Sequence, residues 1–142
     1  MSAQSAAPTP KPMTVLVYSD DVTVRSAVRL ALGKRPAPEL PSIELREVAT
    51  EAAVLSALDG GDIDVAVFDG EAVPAGGMGM CRSAKDEVYN CPPILVLVAR
   101  AQDGWLATWS KADAIAAHPV DPIVLADQVA ALMRRRLAAL PA

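Results

Sequence analysis

Apolar and polar positions fall in blocks along this chain, and each block has the length and period of one kind of element. Residues 14–18 (TVLVY), 64–68 (DVAVF) and 93–98 (PILVLV) are short, nearly unbroken apolar runs rich in β-branched residues. That pattern predicts strands covered on both faces. Residues 43–48 (IELREV) and the small-residue run 112–117 (ADAIAA) predict two more. Helical spacing fills the intervals. Val24, Val28, Ala31 and Leu32 recur on one helix face, Gly33 can end that helix, and Pro36, Pro38 and Pro41 mark a loop. Thr50 can cap a helix over 51–58, closed by Gly60 and Gly61. Residues 70–79 read as a glycine-rich loop, 80–88 as a helix and 105–110 as a short helix. Asp121 and Pro122, a capping acid followed by a proline at the first helical position, open a last helix. Its core face is expected to carry Val124, Leu125, Val129, Leu132, Met133 and Leu137.

Five strands alternating with five helices imply parallel strands joined by right-handed crossovers. The expected fold is therefore α/β: a five-stranded, doubly wound parallel sheet of the flavodoxin-like order 2-1-3-4-5. One domain over 13–138 accounts for the pattern. Residues 1–12, small, polar and proline-rich, read as a disordered tail, and no output domain is expected to follow.

Composition narrows the function. Hydrophobic residues make up 52% of the 142, enough for a real core. No apolar run approaches the roughly 20 residues of a membrane helix, and the N-terminus lacks the charged start and apolar stretch of a signal peptide. A cytoplasmic protein with no membrane partner is expected. A net charge of −4 argues against a nucleic-acid partner. The basic cluster Arg134, Arg135 and Arg136 falls at the end of the last helix, where cations meet the helix dipole. It reads either as a solvated helix end or as a small docking patch. Cys81 and Cys91 stand in no metal-ligand pattern and are expected as reduced thiols.

In open α/β sheets ligands bind beyond the carboxyl ends of the strands, where the strand order reverses. Here that point lies between the first and third strands, and acids stand at both ends: Asp20 and Asp21 after the first, Asp69 after the third. Gathered carboxylates repel one another unless a cation or proton intervenes, and hard oxygen ligands suit magnesium or calcium. Acids at strand ends also simply start turns. Spacing alone leaves both readings open.

The chain resembles the receiver domain of two-component response regulators over residues 14–137. Four segments carry the resemblance in order: VLVYSDDVTVR (15–25), VAVFDG (65–70), PILVLVAR (93–100) and ADAIAAHPVDP (112–122). The resemblance implies that Asp69 takes a phosphoryl group. It implies a magnesium ion held by Asp20, Asp69 and the backbone carbonyl of Glu71, with Asp21 as a substitute ligand. It further implies a hydroxyl after the fourth strand, a lysine after the fifth, and an aromatic switch residue in the fifth.

The sequence departs from that pattern in several places. Ser19 falls at the first acidic position, Val98 at the hydroxyl position, His118 at the lysine position and Ile115 at the aromatic position. The loop after Asp69 reads one residue long, so that its usual proline falls at Pro74. Valine cannot donate a hydrogen bond, and one to a charged group contributes about 1.5–3 kcal/mol. Histidine is shorter than lysine and only conditionally charged. The resemblance also implies a cis His118–Pro119 peptide.

The reading that follows is an atypical receiver with no enzymatic activity beyond weak self-phosphorylation or dephosphorylation on Asp69. It would signal through protein–protein contacts, with magnesium bound weakly or lost. The alternative is a working phosphorelay receiver, phosphorylated on Asp69 by a histidine kinase. The partner surface, or a homodimer contact, would lie on the 98–136 face. Trp105 and Trp109, four apart, would either contribute to that face or pack against the sheet. A hydrolase would need a general base, and His118 is the sole histidine. A flavin site would need a hydroxyl-rich phosphate loop after the first strand, where acids stand instead.

Overall fold

The computed structural model describes residues 11–73, 75–100 and 105–139. The elements are β1 (Met13–Tyr18), α1 (Val22–Leu32), β2 (Ile43–Val48), α2 (Glu51–Asp59), β3 (Val65–Asp69), α3 (Gly77–Glu87), β4 (Ile94–Val98), α4 (Trp105–Ser110), β5 (Ala114–Ala117) and α5 (Pro122–Ala139). All four strand pairings are parallel, and the order is β2-β1-β3-β4-β5. The expected tail lies, in its first ten residues, outside the described ones, as does Pro74.

The apolar strand runs are continuous because each strand feeds two cores. Val15 and Val17 of β1, Val65 and Val67 of β3, and Leu95 and Leu97 of β4 point to one face and pack against α1 and α5. The intervening Leu16, Tyr18, Ala66, Phe68, Ile94 and Val96 point to the other and meet α2 and α3. Every residue of β3 and β4 is buried, whereas edge strand β2 alternates between half-buried and exposed positions. Each fully buried Leu, Val or Phe stabilises the fold by about 1.5–3 kcal/mol, which makes this two-sided sheet the centre of stability.

Side chains set the helix starts. The Asp21 carboxylate accepts from the Thr23 amide, Thr50 Oγ1 accepts from the Ala53 amide, and Asp121 Oδ1 accepts from the amides of Ile123 and Val124. Gly33 ends α1 at φ 57°, a left-handed conformation that glycine adopts without strain. Boundaries shift slightly from expectation: β5 begins at Ala114 rather than 112, because the Asp113 amide bonds the Ile94 carbonyl while its side chain is used elsewhere. The larger difference is α3, which starts at Gly77 inside the expected glycine-rich loop.

The three arginines closing α5 do not form a free patch. Arg134 pairs with Glu39, Arg135 with Asp113 at 3.1 Å, and Arg136 lies 3.7 Å from Asp64. Each reaches a different segment, so the cluster ties the helix end to the N-terminal edge of the sheet. Cys81 and Cys91 are both free thiols, and burial pushes Cys81 up to about 12.

Candidate functional site

Beyond the carboxyl ends of the strands, between β1, β3 and β5, lies a pocket of about 390 Å³ lined by Asp20, Asp69, Glu71, Ala99 and His118 among others. The sheet order makes it: β1 and β3 are neighbours whose following chains diverge to opposite faces, and the gap opens where they part. The sequence-predicted acids after β1 and β3 thus meet here, joined by the histidine after β5.

Asp69 is the last residue of β3, and its side chain is only 4% exposed. Two close backbone approaches place it. A Cβ on Gly70 would lie 2.5 Å from the Leu97 carbonyl oxygen, and one on Gly77 would lie 2.5 Å from the Asp69 carbonyl oxygen. Glycine at both positions lets β4 and the first turn of α3 close on the Asp69 backbone. Gly77 therefore serves helix–strand contact rather than loop freedom, which is why α3 begins earlier than its composition predicts.

The Asp69 carboxylate is satisfied by three groups of the chain itself. Ser19 Oγ donates to Oδ2 at 2.8 Å, the Glu71 amide donates to Oδ1 at 2.9 Å, and His118 Nε2 lies 3.0 Å from Oδ1. A carboxylate oxygen only accepts, so Nε2 is the protonated nitrogen in this contact. His118 is placed by its own amide, which bonds the Val98 carbonyl at 2.8 Å, and its peptide bond to Pro119 is cis, as the resemblance implies.

Ser19 is completely buried and committed on every side. Its Oγ accepts from the Asp21 amide at 3.0 Å while donating to Asp69. Its amide bonds the Val48 carbonyl at 3.2 Å, and its carbonyl accepts from Arg25 at 2.7 Å. Arg25 in turn lies 3.5 Å from Glu47 on β2. Sequence reasoning placed Ser19 only as a missing acid, and did not single out Arg25. A serine between an apolar strand and two acids, with an arginine six residues on, is the pattern that carried the signal.

The other expected residues separate into those the pocket gathers and those it does not. Asp20 crosses to the loop after β3, where its Oδ1 accepts from the Val73 amide at 3.1 Å. Asp21 also lines the pocket, and it caps α1, its Oδ1 accepting from the Thr23 amide. Val98 is 1% exposed within the apolar cluster on the α2–α3 side, and Ala99 lines the pocket instead. Ile115 is half-buried in β5, and its carbonyl accepts from Gln128 on α5 at 2.8 Å. Tyr18 is a residue the sequence reading missed. It is 1% exposed, packs edge-on against Phe68 with ring centroids 6.0 Å apart, and donates its hydroxyl to the Ala75 carbonyl at 2.5 Å. Burial, then the acids Asp20, Glu51 and Asp69, push the Tyr18 phenol up. A tyrosine ending a buried strand must find a partner for its hydroxyl, and that was the available signal.

These residues do not fit a magnesium ion held in the manner the resemblance implies. Magnesium demands near-octahedral oxygen coordination. Asp69 has three of its roughly four acceptor positions filled, Ser19 offers a hydrogen rather than a charge, and Asp21 caps a helix. Among the described residues no group of three or more His, Cys, Asp or Glu is arranged to hold a metal ion.

The tryptophans of α4 do not pack into the sheet. Trp105 is 70% exposed and Trp109 49%. Arg82 of α3 stands 5.1 Å above the Trp109 ring and donates to the Trp109 carbonyl at 2.5 Å, and Lys111 pairs with Asp86 just beyond. Among the described residues no helix is long and apolar enough to cross a membrane.

Comparison with known proteins agrees with this geometry. No family model matches the chain. It is 53% identical over 122 residues, 86% of this chain and 92% of each relative, to a protein described as an uncharacterized response regulatory protein in two strains of Mycobacterium tuberculosis. Among solved structures, a CheY-like response regulator receiver domain from Methanospirillum hungatei superimposes with a TM-score of 0.71 at 16% identity, covering 90% of this chain and 98% of that one. A chemotaxis response regulator of Vibrio cholerae gives 0.72 at 18% identity, covering 86% and 99%. At such identities the two structures show the shared fold.

Proposed function

The chain belongs to the response-regulator receiver family, and from that premise we propose that it is an atypical receiver, signalling in the cytoplasm through protein contacts, with phosphorylation of Asp69 weak or absent. Receiver domains are generally not enzymes, and they generally bind magnesium. The observation that carries the reading is the state of Asp69: its carboxylate is engaged by Ser19, the Glu71 amide and His118. A carboxylate held by three donors and 4% exposed has little lone-pair density left to offer phosphorus. Val98 offers no hydroxyl to hold a product phosphoryl group. Moving a switch from 1:99 to 99:1 takes about 5.5 kcal/mol of differential binding, so each lost donor removes a sizeable part of the coupling.

Without a strong phosphoryl switch, the resting surface itself is what a partner reads. The 98–136 face carries exposed Trp105 and Trp109 and, at the start of α5, exposed Ile123 and Val124. That face is where we place a protein partner or a second copy of the chain. The alternative, a phosphorelay receiver served by a histidine kinase, is favoured by one observation: Asp69 stands at the strand end beside Asp20 in a pocket open to solvent.

Intact mass after incubation with acetyl phosphate and magnesium separates the two. The proposed reading predicts little or no gain of a phosphoryl group. Near-complete gain in the natural chain, lost in Asp69→Asn, would establish the alternative.

A further inference from the structure

Resting on the reading of a weakly phosphorylated pocket, we propose that Ser19 is a positioning residue that replaces a bound cation: its hydroxyl latches Asp69, and residue 19 sets whether this pocket takes magnesium. Three observations converge on it. Ser19 Oγ is hydrogen-bonded in both senses, accepting from the Asp21 amide at 3.0 Å and donating to Asp69 Oδ2 at 2.8 Å. Its backbone is fixed from two other elements, by the Val48 carbonyl and the Arg25 guanidinium. And it is fully buried, so no water competes for its hydrogen.

The charge balance points the same way. Asp20 and Asp69 face one pocket, and such a pair needs an intervening positive or donating group. An acid at position 19 would add a further negative charge to a pocket already lined by Asp20, Asp21, Asp69 and Glu71, and would call for a cation. Serine adds none and supplies a donor instead, so the pocket closes without one. The Arg25 guanidinium, 2.7 Å from the Ser19 carbonyl and itself paired with Glu47 at 3.5 Å, fixes the backbone behind the latch. The Ser19 bond fills one of the two acceptor positions of Asp69 Oδ2, so the latch competes with a metal for the lone pairs of that oxygen.

The test is a magnesium chloride titration of the full chain by isothermal calorimetry, paired with thermal unfolding at each magnesium concentration. The natural chain is expected to give no saturable heat and an unchanged midpoint. Ser19→Asp is expected to bind magnesium saturably, roughly tenfold tighter or more, since affinity follows ligand charge count, and its midpoint rises with the ion. Adding Asp20→Asn to that variant returns it to the natural behaviour. Equal affinity of the natural chain and Ser19→Asp for magnesium would overturn the proposal. If Ser19→Asp does not fold, Ser19→Ala decides: a magnesium response larger than that of the natural chain supports the latch, and an unchanged one overturns it. The readouts also separate this proposal from the reading beneath it. Phosphoryl gain by mass in a natural chain with no magnesium response sinks the weak-phosphorylation reading and spares the latch. Saturable magnesium binding without phosphoryl gain does the reverse.

Discussion

Two acids stand at opposite ends of the sheet, Asp69 buried and Asp113 half-buried, and they are held in different ways. Asp113, just before β5, meets long permanent cations: Lys85 at 2.5 Å and Arg135 at 3.1 Å, with the Ile94 amide at 2.8 Å. Burial alone would push its carboxyl up, but the bonds from Lys85 and Ile94 outweigh that and hold it below the usual aspartate range. Asp69, at the end of β3, meets a hydroxyl, an amide and an imidazole. Its three bonded groups carry no permanent charge. The first arrangement fixes an acid permanently. The second satisfies it with groups that can let go, the arrangement expected where a carboxylate was once, or can still be, a reacting group. The difference separates a structural end of the sheet, where the arginines of α5 also tie down, from a functional one.

Breaking the structural end should cost most. Asp113→Ala takes the acid away from Lys85 and Arg135 and leaves the Ile94 amide without its side-chain acceptor. A loss of about 2–3 kcal/mol is expected in urea unfolding. The same acid sets a pH dependence. Its folded pKa is lowered, so its contribution is complete above the unfolded value near 3.9 and is lost as pH falls through the folded one. Asp113→Asn should therefore flatten the acid limb of the stability profile below about pH 4.

At the functional end the expected effects are smaller. Ser19→Ala removes a buried donor from Asp69 and leaves the Asp21 amide without its acceptor, for a loss of about 1–2 kcal/mol by the same measurement. Val98→Thr puts a hydroxyl into an apolar site that is 1% exposed, and costs about 1 kcal/mol. A stabilising Val98→Thr would instead mean that the hydroxyl reaches Asp69, and that the pocket lies closer to a working switch than proposed. The smallest effect belongs to the exposed pair of Arg134 and Glu39, where Arg134→Ala should leave the urea midpoint unchanged within error.

The contrast also explains what was legible in the sequence. The strands were, because burial on both faces writes an unbroken apolar run, as in β3 and β4. Helix starts at Thr50 and Asp121 were legible because the cap is a local bond, whereas Asp21, read as a pocket acid, turned out to cap α1. The start of α3 was not: Gly77 is dictated by the Asp69 backbone eight positions earlier in the chain, a contact that composition does not record. In the site, Asp20, Asp69 and His118 could be named from strand ends and resemblance, and the pocket gathers all three. What could not be read were the partners. Ser19 to Asp69 spans 50 residues, Asp20 to Val73 spans 53, and Tyr18 to Ala75 spans 57. Those bonds exist only once β1 and β3 lie side by side. The same holds for Arg134, Arg135 and Arg136, whose acids come from three separate segments.

The account stands on the bond between Ser19 and Asp69. A double-mutant cycle of Ser19→Ala and Asp69→Ala, followed by urea unfolding, measures it directly. A coupling of about 1–2 kcal/mol is predicted, because removing the second partner should cost little once the first is gone. Strictly additive losses would contradict the account and leave Asp69 held by the Glu71 amide and His118 alone.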